Sequence, residues 1–87
     1  MKLKKGDRFG LPFKKQLKIY ATCLNYSDEP QEIQHKIVNL CYQCGGEHHE
    51  ALFKAVTTED RLIDVAAEYY IHETWLIRLI KRFYQCW

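Results

Sequence analysis

The segment CYQCGGEHH sets Cys41, Cys44, His48 and His49 within nine residues. Two thiols and two imidazoles at that density could hold zinc, which takes sulfur and nitrogen ligands in a tetrahedron. The spacing C-x2-C-x3-H lacks a closing ligand, and Cys23 or Cys86 could supply one only through the fold. A simpler reading competes. Cys41 and Cys44 continue an apolar stripe with Ile33, Ile37 and Leu40 at helical spacing, where a free cysteine behaves as a small hydrophobe. His48 and His49 then fall in the first turn of the next helix, at the surface. The sequence points to buried thiols, with no metal and no other cofactor. A redox C-x-x-C is disfavoured because no strand–helix context surrounds it.

Catalytic chemistry finds little else to use. Cys23 with His35 could form a nucleophile pair, yet nothing local brings the two together. There is no glycine loop for phosphate and no H-E-x-x-H, and the one serine, Ser27, sits where a helix cap is expected. The acids are spread at i, i+4 spacing, as on a solvated helix face. The expectation is a protein that binds rather than catalyses.

The remaining chemistry is cationic. With residues placed at 100° steps from Leu76, Leu79, Ile80, Phe83 and Trp87 fall within about 60° of it. Ile77 and Tyr84 lie on one flank, Trp75 and Cys86 on the other. The opposite arc holds Thr74, Arg78, Lys81, Arg82 and Gln85, so all three cations of this helix share one side.

The elements that position these residues read as helices throughout. Period 3.6 dominates and no useful strand alternation is found. Pro12 suits the first turn of a helix over about 12–26, with Phe13, Leu17, Tyr20, Ala21 and Leu24 as its apolar stripe. Ser27 or Asp28 can cap a second helix with Pro30 in its first turn, and Gly45-Gly46 stops it. A third helix spans about 47–56 and buries Ala51, Leu52, Ala55 and Phe53. Thr57, with Asp60 three residues on, suggests a capping box for a fourth helix carrying Leu62, Val65, Ala66 and Tyr69. The fifth runs from Glu73 almost to Trp87. The expected fold is all-α, with about five helices and the last three forming a helix-turn-helix core over about 47–87.

That last expectation comes from a resemblance. VAAEYYIHETWLIRLIKRFY, residues 65–84, resembles the helix-turn-helix of transposase-like and phage-type regulators, and with the third helix, EHHEALFKAV, completing a three-helix core the resemblance covers about residues 47–84. Ala66 suits the close crossing of the two helices with Val65 before it, Tyr69 and Ile71 flank the turn, and Leu76 and Leu79 pack back from the second helix. One departure stands out: Tyr70 falls where such turns usually carry glycine, at a position expected to have positive φ. The resemblance implies that the fifth helix enters the major groove of double-stranded DNA. His72, Thr74 and Arg78 would then reach base edges, and Lys81 and Arg82 phosphates. It further implies a transcriptional regulator or recombination factor of a phage or mobile element, with a homodimer as the expected assembly.

The totals fit a small domain. A chain of 87 residues with 47% apolar and 14% aromatic residues can build one thin core. The net charge of +2 hides an asymmetry: residues 1–18 hold seven Lys or Arg and one acid, whereas 19–87 hold six and ten. Residues 1–10 read as a flexible basic arm, with Lys2, Lys4, Lys5 and Arg8 available to phosphates, ahead of a single helical domain over 11–87. No segment approaches a membrane span, and no apolar run follows the charged start, so a cytoplasmic protein with reduced thiols is expected.

A second class of function stays open. Trp75, Ile77 and Tyr84, with Trp87, could form an exposed apolar patch for a protein partner. The acidic stripe Asp60, Asp64 and Glu68 could mimic phosphates and occupy the nucleic-acid channel of a host nuclease. The same acids count against DNA, because they repel phosphates.

Overall fold

Two prolines start the first two helices of the computed structural model, which describes residues 10–87. Pro12 caps α1 (Phe13–Leu24) and Pro30 caps α2 (Gln31–Gly45). Each lends its fixed φ to the entry and its carbonyl to the first helical hydrogen bonds, Gln16 N–H to Pro12 and Gln34 N–H to Pro30. Both prolines thus stand one place before the helical turn expected to contain them. Ser27 and Asp28 do not cap α2. They belong to a 3-10 turn over Tyr26–Asp28, whose Tyr26 carbonyl accepts from the Gln34 side chain at 2.9 Å.

Gly46, at φ 55°, ends α2 in the left-handed region as the glycine pair suggested. A 3-10 turn, Gly46–His48, leads into α3 (His49–Thr57). Thr57 closes this helix instead of opening the next: its hydroxyl donates to the Phe53 carbonyl at 2.6 Å. The expected capping box is therefore absent. α4 (Leu62–Glu68) is capped by Arg61 with no side-chain cap bond, and Arg61 instead pairs with Asp64 in the first turn. α5 (Glu73–Cys86) follows after four residues. All five α-helices are present, and no extended strand occurs among the described residues.

One hydrophobic cluster draws on all of them. α2 contributes Ile37, Leu40, Cys41 and Cys44, as its stripe predicts, and α3 contributes Ala51, Leu52, Ala55 and Val56. α1 departs from expectation. Its buried side chains are Gln16, Ile19 and Cys23, while Leu17 is 46% exposed. Gln16 turns inward with its amide N–H donating to the Leu11 carbonyl at 2.8 Å, which satisfies that donor.

α5 packs against α2, α3 and α4 at once. Leu76, Leu79, Ile80 and Phe83 are buried as expected, and so is Tyr84, at 1% exposure. Three neighbouring helices bury a broader arc of α5 than one would, and the arc extends toward Tyr84 and away from Trp75. No helix among the described residues is long and apolar enough to cross a membrane. Lys2, Lys4, Lys5 and Arg8, the phosphate-contacting residues expected in the basic arm, lie outside the described residues.

Candidate nucleic-acid interface

The connection between α4 and α5 sets the exposed face of α5. Ile71 N–H donates to the Ala66 carbonyl at 2.9 Å and Tyr70 N–H to that of Ala67 at 3.4 Å. This 6→1 and 5→2 pair is a Schellman ending, which needs a left-handed residue at the 5→2 donor. Tyr70 supplies it, at φ 54°. A left-handed tyrosine is strained unless its side chain packs well enough to offset the cost. No packing does so, because Tyr70 is 95% exposed. Ile71 is buried alongside Val65 and Ala66, so the chain enters α5 from a fixed point.

His72 caps α5 without a side-chain cap bond, which leaves its imidazole to the surface. His72, Thr74 and Arg78 then line one cleft of about 370 Å³ with His48, Tyr70, Ile71 and Trp75. All three base-reading candidates are thus brought together. Lys81 and Arg82 are exposed further along the same helix. Trp75 is 42% exposed, and the Arg78 guanidinium carbon lies 5.8 Å from the centre of its ring. Glu73, in the first turn of α5, is exposed beside the cleft and opposes an approaching phosphate.

No protein-family model matches this chain, and no curated protein or solved structure matches it.

The acidic stripe is not a bare row of charge. Lys54 of α3 reaches Glu68 at 2.7 Å and Asp60 at 4.0 Å. Arg61 forks onto Asp64 at 2.9 and 3.2 Å. The Glu68 carboxylate raises the Lys54 ammonium above its usual range, and Asp64 does the same for Arg61. Two cations thus offset much of the field of three carboxylates, both as phosphate repellers and as phosphate mimics. The expected apolar patch is also smaller than the sequence suggests. Trp75 is exposed and Ile77 half-buried, but Tyr84 is core.

The cysteine–histidine cluster disperses on folding. Cys41 and Cys44 are buried thiols on α2. The His49 Nδ1–H donates to the Gly46 carbonyl at 3.0 Å, and the ring stacks on Tyr42 at 4.1 Å. His48 turns to the cleft, with its Nε2 3.6 Å from a Glu47 oxygen. No three His, Cys, Asp or Glu side chains group as metal ligands among the described residues. Cys23 is fully buried and His35 exposed, so the hypothetical nucleophile pair is not assembled.

Sequence reasoning missed two members of the cleft. Tyr70 carries a signal, a non-glycine residue where the turn expects glycine, but that signal concerns the turn and not the cleft. His48 carried none, since it reaches the cleft through the 3-10 turn that precedes α3. A second groove, of about 560 Å³, runs between α2 and α3 past Phe53 and Tyr69 and includes none of the reading candidates.

Proposed function

We propose that α3, α4 and α5 act as a helix-turn-helix unit that binds double-stranded DNA, with the exposed face of α5 in the major groove. One observation carries the reading. His72, Thr74 and Arg78 converge on a single exposed cleft, and Lys81 and Arg82 continue the same helix into solvent. Arginine forked onto guanine is the commonest specific contact in that groove, and lysine serves phosphates. The countered acidic stripe removes much of the objection that acids repel DNA. The role is binding, not catalysis. The resemblance of residues 47–84 to phage-type and transposase-like regulators supports a part in transcription control or recombination.

The test is duplex binding at about 50 and 200 mM salt, where phosphate contacts reveal themselves as a log-linear loss of affinity. Arg78→Ala should cost about 1–3 kcal/mol at a selected site and less at random sequence. Lys81→Ala should weaken both alike and lower the salt slope by about 1. Both side chains are exposed, so neither change should alter stability by more than about 0.5 kcal/mol. Absence of duplex binding by the parent at low salt would end this reading. The exposed Trp75 then favours the second one, a protein partner such as a nuclease whose nucleic-acid channel the molecule occupies.

A further inference from the structure

Trp75 is the large apolar side chain that α5 leaves at the mouth of the reading cleft. It sits one turn before Arg78, and its ring lies 5.8 Å from the guanidinium carbon, within cation–π range. A ring in that position restrains the guanidinium from one side and leaves its N–H fork directed elsewhere. An arginine restrained before binding loses less rotamer freedom on contact.

An apolar surface next to a guanidinium matches a definite feature of duplex DNA. The major-groove edge of a base pair carries one apolar group, the C5-methyl of thymine, and the guanidinium fork matches guanine O6 and N7. The two side chains are three residues apart, with Cβ atoms about 5–6 Å from each other on a helix surface. Successive base pairs are about 3.4 Å apart. The two contacts therefore fall on adjacent or next-adjacent pairs.

We infer that Trp75 is a specificity-determining residue: its indole packs on a thymine methyl beside the guanine read by Arg78, and it positions that arginine. The inference rests on the proposed DNA-binding role and names the sequence feature that role recognises. His72 and Thr74 border the same contact and have no apolar surface of comparable size.

The experiment starts by selecting a preferred site from random duplexes with the full chain. Each thymine of that site is then replaced singly by deoxyuridine, which removes only the methyl. At one position the parent should bind about fourfold more weakly, the worth of one buried methyl. Trp75→Ala should erase that difference and also relax the guanine preference at the neighbouring pair, whereas Trp75→Phe should keep part of both. A circular-dichroism melt matching the parent's shows that the variants are folded. Neutral substitution at every thymine, or a full thymine preference in Trp75→Ala, overturns the inference while duplex binding stands. A parent that selects no sequence or binds no duplex overturns the inference together with the reading beneath it.

Discussion

Cys23, Cys41 and Cys44 turn inward and Cys86 turns out. Burial pushes the Cys23 and Cys41 thiols up to about 12 and the Cys44 thiol up to about 11. Neighbours add to this: Glu29 at Cys23, Cys23 at Cys41, and the hydrogen-bonded Cys86 at Cys44. The folded chain thus keeps protons that the unfolded chain releases near pH 9. Stability should hold below that point and fall as pH climbs from about 9 toward 11. The slope should reach about 1.4 kcal/mol per pH unit for each of Cys23 and Cys41. Urea unfolding at a series of alkaline pH values measures it, and a flat profile would contradict the burial. A water-soluble thiol reagent should label Cys86 rapidly and the other three only on unfolding. The inward turn of Cys41 and Cys44 was legible, because both continue the spacing of Ile37 and Leu40. That of Cys23 was not. Leu17 is more hydrophobic than Gln16 and drew the expected α1 stripe onto the wrong side. The actual face carries Ile19 and Cys23, and Gln16 joins them with its amide held by the Leu11 carbonyl.

At the scale of elements, the α4–α5 turn holds a conformation that suits glycine and contains Tyr70 instead. A left-handed non-glycine residue costs about 1–2 kcal/mol, partly offset here because glycine would loosen the unfolded chain. Tyr70 makes up none of this by burial. Tyr70→Gly should therefore stabilise the fold by about 0.5–1 kcal/mol, a rise of a few degrees in Tm. Backbone strain of this kind collects at functional sites. The same variant should bind duplex DNA less well if Tyr70 contributes to the cleft it borders, and calorimetric melting beside a binding titration separates the two effects. The positive φ at Tyr70 was legible from the offset of the turn. The start of α4 was not, since Thr57 and Asp60 have the spacing of a capping box yet Thr57 bonds backward to Phe53. Threonine serves either a helix end or a helix start, and sequence spacing does not distinguish them.

For the whole molecule, the governing quantity is the division of charge. The seven cations among residues 1–18 precede a body in which acids outnumber cations ten to six. Deleting residues 2–8 removes Lys2, Lys4, Lys5 and Arg8 together with Asp7. That loss should lower the salt slope of duplex binding by up to about 3 and leave the preferred sequence unchanged, because phosphate contacts carry no sequence information. A changed preference would show that the arm reads a groove. The two tryptophans are divided as well. Trp75 stands at the cleft, while Trp87 packs on Phe83 under the Lys36 ammonium, 4.2 Å above its ring. The molecule therefore carries two separate light emitters, one facing solvent at the cleft and one tied to the helix packing. Trp87→Phe should leave a red-shifted, iodide-quenchable signal that responds to DNA before any helix melts. Trp75→Phe should leave a signal that stays constant through DNA binding and changes when α2 and α5 part.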